Sequence, residues 1–198
     1  MDDKEKINEI VKQYREYLQT IRKESKNENE QPIKKVIQEY AEKIKKINES
    51  IRKKDEEVEA VINKIKDEYN DITKGDAVTE FTEGGCYYFA YMLKQIFPNE
   101  AQIYTCTTGD IHAIVKINGS FYDARGNINK KNNNIESLIN PIKPEYYLLT
   151  EGEYFEYFKD ICNSSRKGEM VRNFEQTCDR VLEKVKNEID EEKNQKVL

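Results

Sequence analysis

The stretch "IHAIVKINGSFYDARG", residues 111–126, places β-branched and aromatic residues on both sides of Asn118-Gly119. Asn-Gly between two such runs is the strongest local signal for a two-residue hairpin turn, since both turn positions need positive φ and these residues tolerate it. The turn sets a register in which Ile117 faces Ser120, Ile114 faces Asp123 and His112 faces Arg125. His112 and Asp123 then leave the same sheet face as diagonal neighbours. Their Cα atoms lie within about 7–8 Å, a gap the two side chains can bridge.

Two further short runs, "IYTCTT" (103–108) and "EYYLLT" (145–150), read as strands. An antiparallel sheet results. Residues 126–144, with "NINKKNNN" and two prolines, are expected to form a long loop. Upstream, "FTEGGCYYFAYMLKQIFP" (81–98) predicts a helix that opens at Cys86 and stops at Pro98, with Phe89, Ala90, Leu93 and Phe97 on one face. "YFEYFKDIC" (154–162) is read as an aromatic helix that seals this region.

The flanks follow another rhythm. Ile7, Val11, Tyr14, Leu18 and Ile21 are spaced by threes and fours. The pattern resumes at Ile33, Ile37, Tyr40, Ile44, Ile47 and Ile51, and continues through Val58, Val61, Ile65, Tyr69 and Ile72. Val171, Phe174, Cys178, Val181, Val185 and Ile189 repeat it near the other end. Such stripes close only against other helices. The chain is therefore expected to be α+β: a helical hairpin or coiled-coil region over 1–75, a core over 76–163, and a C-terminal helix over 164–198 packed with the first two. A helical stalk and a bundle wrapped around the core both fit this pattern.

Charge is unevenly placed: residues 1–75 hold 18 Lys+Arg and 18 Asp+Glu, residues 76–165 hold 7 and 12, and residues 166–198 hold 8 and 8. The net charge of −5 thus belongs to the middle section. With no basic stripe to track phosphates, nucleic acid is not an expected partner. No apolar run is long enough to span a membrane, and "MDDKEKINEI" lacks the basic and apolar regions of a signal peptide, so a cytoplasmic location is expected, with export as an effector or toxin left open. Cys86, Cys106, Cys162 and Cys178 form no CxxC pair, which argues against a zinc site or a disulfide framework.

The residues that carry chemistry lie in the middle section. A helix that starts at Cys86 points free amides and a positive dipole end at the sulfur, which favours the thiolate. Gly84 and Gly85 would leave room there for a substrate carbonyl, so that Gly85→Val is expected to keep the fold and lose activity. His112 is the only histidine of the chain. With Asp123 accepting from one imidazole nitrogen, the other is free to take a thiol proton. A salt bridge from Asp123 to Arg125 is the competing use of that carboxylate.

"GGCYYFAYMLKQIFP", "HAIVKINGSFYDARG" and "EYYLL" together resemble the minimal core of papain-like thiol enzymes in their transglutaminase-like arrangement, where a Cys-bearing helix packs on a sheet whose successive strands carry His and Asp. They are similar in particular to small papain-fold domains of bacteria, phages and toxin systems. The resemblance spans residues 80–150. It implies Cys86 as nucleophile, His112 as general base and then acid, Asp123 as the orienting carboxylate, a protein or peptide substrate, and no metal or cofactor. Amide hydrolysis by a protease, deamidase or amidase is the expected reaction, with acyl transfer to an amine as the alternative. Two departures stand out: no glutamine occurs between Gln38 and Gln95 to donate to an oxyanion, and the chain has no tryptophan. The oxyanion hole would then need the Cys86 amide and a second donor from Thr82, Glu83 or Tyr104. A degenerate papain-like scaffold, whose long helices bind a partner protein or a second copy, is the remaining alternative.

Overall fold

The computed structural model describes residues 3–24, 30–106, 112–128, 146–148, 160 and 169–195. Five helices and five strands are assigned among them: α1 (Asp3–Glu24), α2 (Glu30–Thr73), α3 (Ala77–Thr82), α4 (Cys86–Ile96), β1 (Gln102–Cys106), β2 (His112–Ile117), β3 (Ser120–Asp123), β4 (Gly126–Asn127), β5 (Tyr146–Leu148) and α5 (Glu169–Gln195). The protein is α+β, with long helices towards both ends. Its chain divides into two compact units, Met1–Glu56 and Glu57–Leu198.

In the first unit α1 and the start of α2 face each other through Tyr14 and Tyr40, whose ring centroids are 5.1 Å apart. Two helices alone give shallow burial, and Val11, Leu18, Ile44, Ile47 and Ile51 are only half-buried. Ile37 departs from the expected stripe. It is 44% exposed, while its neighbour Val36 is half-buried.

From Val58 the same helix changes character. Val58, Ile62 and Ile65 are almost wholly buried, because this part of α2 packs into the second unit with α4 and α5. Lys64 Nζ lies 2.9 Å from both Glu188 Oε2 and Glu192 Oε1, and Lys184 Nζ lies 2.6 Å from Glu68 Oε2, so ion pairs at the rim tie α2 to α5. Within this unit, then, the long helices wrap the core. The sequence placed the domain boundary after residue 75, whereas the compact unit that contains the sheet begins at Glu57.

The centre of the unit is α4, in which Cys86, Tyr87, Tyr88, Phe89, Ala90, Met92 and Leu93 are all buried. A helix apolar on every side must be enclosed on every side. Here the enclosure comes from α2 and α5, from the Phe81 side chain of α3, and from Ala113, Val115, Ile117 and Tyr122 of the sheet. Reading only Phe89, Ala90, Leu93 and Phe97 as the buried face understated it. The helix ends at Ile96, where Lys94 Nζ donates to the carbonyls of Pro98 (2.7 Å) and Ala101 (2.9 Å).

The sheet is antiparallel in the order β4-β3-β2-β1-β5. Asn118 (φ 51°) and Gly119 (φ 87°) both take positive φ, and Ile117 pairs with Ser120, as the turn chemistry requires. The expected loop from residue 126 starts later. Gly126 and Asn127 first pair with Asp123 and Tyr122 as β4, because "DARG" makes a second tight turn with Gly126 at φ 101°. Asp at the first position of a turn and Gly at the fourth is the type I signature. The expected helix over 154–162 and Cys162 lie outside the described residues, apart from Asp160.

Candidate functional site

Cys86 is the first residue of α4, with Gly85 as N-cap and no side-chain cap. His112 opens β2, and Asp123 closes β3. The hairpin register brings the imidazole Nε2 to 3.2 Å from Asp123 Oδ2. The Cys86 side chain is within hydrogen-bonding reach of the same imidazole. A carboxylate can only accept, so Nε2 carries the proton of this bond, and the neutral ring keeps its lone pair on Nδ1. The three side chains therefore form one chain of contacts, in which Cys86 (3%) and Asp123 (1%) are buried and the His112 side chain between them is 15% exposed.

Arg125 completes this arrangement. Its backbone N–H donates to Asp123 Oδ1 at 2.8 Å, its Nε donates to Oδ2 at 2.9 Å, and Nη2 also contacts Oδ2. The backbone contact is an Asx turn, the local bond that Asp makes two residues ahead. The salt bridge to Arg125 and the bond to His112 thus coexist on one carboxylate. Sequence reasoning treated them as alternatives; the "DARG" turn signature was the signal that joins them.

Charge follows this geometry. Burial disfavours the imidazolium, yet the hydrogen bonds to Asp123 and Cys86 and the field of both groups outweigh it, and His112 is pushed up to about 9. Burial likewise opposes charge on Asp123, but the bonds from His112 and Arg125 hold its carboxyl down at about 2. The consequences for stability have opposite signs. The His112 contribution is full below its ordinary value of 6.5 and is lost as pH rises through about 9. That of Asp123 is full above 3.8 and is lost as pH falls towards about 2. Urea titrations of the parent are therefore expected to show greatest stability between about pH 4 and 6.5, with about 2–3 kcal/mol lost towards pH 9. The alkaline loss should vanish in His112→Ala; an unchanged alkaline slope in that variant would rule out the imidazolium as its source.

The other expected site residues are placed differently. Gly84 has φ 113°, a conformation that favours glycine. Gly85 faces the packed interior: a Cβ there would stand 2.6 Å from the Glu80 carbonyl oxygen, 2.9 Å from the Phe174 ring and 3.2 Å from the Phe81 ring. Its glycine is required by packing, which corrects the expectation that it clears space for a substrate. The single hydroxyl proton of Thr82 serves the Val78 carbonyl at 2.8 Å. The Glu83 amide donates to Thr79 O at 2.8 Å. Tyr104 packs edge-on to Phe121, centroids 5.8 Å apart, in a small cluster with Ile114 and Ile128 that is separate from the one holding Cys86. Thr105, which the sequence did not single out, is 3% exposed, and its hydroxyl has no hydrogen-bond partner among the described residues.

No group of three or more His, Cys, Asp or Glu that could hold a metal ion occurs among the described residues. No described helix is long and apolar enough to cross a membrane.

Fold and site together define an α+β protein whose central helix presents a buried thiol to an imidazole–carboxylate pair on a two-turn hairpin. Residues 61–186, which span α3, α4 and the sheet and reach into α2 and α5, match the family described as Phage YunG-like protein, and the chain belongs to that family. No curated protein and no solved structure matches it.

Proposed function

We propose that the protein is a thiol hydrolase of amide bonds with a papain-like core, in which Cys86 is the nucleophile, His112 the general base and acid, and Asp123 the orienting carboxylate. The observation that carries this reading is the shared imidazole: His112 meets Asp123 through Nε2 at 3.2 Å, and the Cys86 side chain is near enough to the same ring to raise its pKa. At neutral pH the thiol proton already rests on His112 Nδ1, since the imidazole titrates at about 9, and the Cys86 thiolate Sγ forms a bond to the substrate carbonyl carbon. The C–N bond then breaks, and the amine leaves with the proton held on Nδ1. Water attacks the resulting thioester, again giving its proton to His112, and the carboxylic acid is released as the thiol is restored. The amide of Cys86 at the start of α4 is one donor to the developing oxyanion. Transfer of the acyl group to an amine would use the same steps with a different acceptor. With a protein or peptide as substrate, the helices of Met1–Glu56 are available to bind a partner or a second copy.

A non-catalytic reading, a papain-like scaffold, draws on one observation: the Thr82 hydroxyl proton and the Glu83 amide are both committed to helix carbonyls. The pH dependence of alkylation of Cys86 by a small reagent, read at that residue by mass spectrometry, decides between them. In the parent, half-maximal reactivity is expected well below pH 7, moving towards ~8.5 in His112→Ala. Equal profiles near ~8.5 would overturn the hydrolase reading.

A further inference from the structure

One oxygen of the site, Asp123 Oδ2, serves two cationic side chains. His112 Nε2 lies 3.2 Å from it and Arg125 Nε 2.9 Å from it, with Arg125 Nη2 on the same oxygen. Two nitrogens bound to one oxygen at these lengths stand no more than about 6 Å apart, so guanidinium and imidazolium oppose each other as like charges. The guanidinium is charged at every working pH, whereas the imidazole can shed its proton. It also holds the better place. Two N–H groups in a fixed fork meet Oδ2, against one longer bond from the ring.

The main chain has a separate part. The N–H of Arg125 donates to Oδ1 at 2.8 Å in the Asx turn, so the backbone sets the direction of the carboxylate whatever side chain residue 125 carries. That side chain is 51% exposed, and changing it leaves the core as it is. What the guanidinium adds is competition for Oδ2. An imidazolium held by an undivided carboxylate would titrate still further above working pH and give up its proton less readily as a general acid. Cys86 of α4 also meets the ring, and Cys106 is the register partner of His112 on β1. The next charged residue of β2, Lys116, has its Nζ 5.8 Å from the Phe121 ring centroid.

We infer that Arg125 is a positioning residue that acts through Asp123: by sharing Oδ2 with His112 it limits how tightly the carboxylate holds the imidazolium, and so leaves that proton transferable to a leaving amine. The catalytic meaning rests on the thiol-hydrolase reading; the competition for Oδ2 does not. NMR of the full chain tests it, following the resonance of the single histidine against pH in the parent, in Arg125→Gln and in Arg125→Lys. In Arg125→Gln the His112 titration is expected to rise by about half a unit to one unit, the effect of removing a partly screened charge about 6 Å away. Arg125→Lys, which returns the cation without the fork, should recover most of that shift. A residue that only braced the turn would leave the titration in place, or lower it as the carboxylate drifted from the ring. An unchanged or lowered titration in Arg125→Gln, or an equal rise in Arg125→Lys, overturns the inference. The hydrolase reading fails on a different readout, a Cys86 alkylation profile that His112→Ala does not move.

Discussion

Gly85→Val is expected to unfold the second unit at a lower temperature than the parent, with loss of about 3 kcal/mol or more. The reason is the geometry of the turn between α3 and α4. The first atom of any side chain would lie 2.6 Å from the Glu80 carbonyl oxygen, and that carbonyl accepts the Gly85 amide at 2.8 Å, so neither can retreat without breaking the turn. On the other side stand the rings of Phe174 and Phe81, which pack with Tyr69, Phe89 and Tyr88 in one aromatic cluster. Relief therefore needs the turn to move, and Cys86 moves with it. For a domain of this size the midpoint should fall by about 6–12 °C. Gly85→Ala should lie between parent and valine, because its single methyl already makes the backbone contact. A thermal midpoint in Gly85→Val equal to that of the parent would show that the turn yields freely.

Why the glycine was misread is instructive about what a sequence exposes. Its decisive neighbour, Phe174, lies on α5, far along the chain, and no local pattern announces that contact. Residues 81–98 suggested an open helix end with space beside the thiol; tertiary packing filled that space with aromatic rings. The hairpin was the opposite case. Its register depends on two turn residues, and turn chemistry is local, so the meeting of His112 and Asp123 is legible in the sequence. β4 was equally local, encoded in "DARG", but was hidden by the polar, asparagine-rich segment that follows it. The division of α2 at Glu56–Glu57 had only a faint sequence mark, the stripe position between Ile51 and Val58 that is filled by Lys54, since the three–four spacing of apolar residues is the same on both sides. Only the depth of burial changes, and depth depends on what the rest of the chain brings to the helix.

Asp123→Asn is expected to change the site more than any other isosteric substitution, and the reason lies in who donates to this carboxylate. Oδ1 accepts from the Arg125 backbone N–H at 2.8 Å, and Oδ2 accepts from His112 and from the Arg125 guanidinium. An asparagine must place its NH2 at one of these positions. The backbone N–H cannot turn away, whereas the guanidinium, 51% exposed, can swing into water. The NH2 therefore takes the Oδ2 position and points a donor at the imidazole. An imidazolium facing that donor loses the larger part of its support and keeps only that of Cys86, so the His112 titration should fall well below about 9. The neutral ring then accepts at Nε2 and keeps its proton on Nδ1, the nitrogen that would have to take the thiol proton. A reversed tautomer of this kind costs about 10⁴ in turnover where an imidazole serves as base. Because the chain has a single histidine, one ring resonance reports both quantities. Its chemical shift against pH gives the titration, and its ¹⁵N shifts give the tautomer. Cys86 alkylation near pH 6 should slow about 100-fold or more in the same variant, as the thiolate loses its counter-ion. A histidine that still titrates near 9 in Asp123→Asn would place the source of its charge at Cys86 alone, and Asp123 would then be a turn residue only.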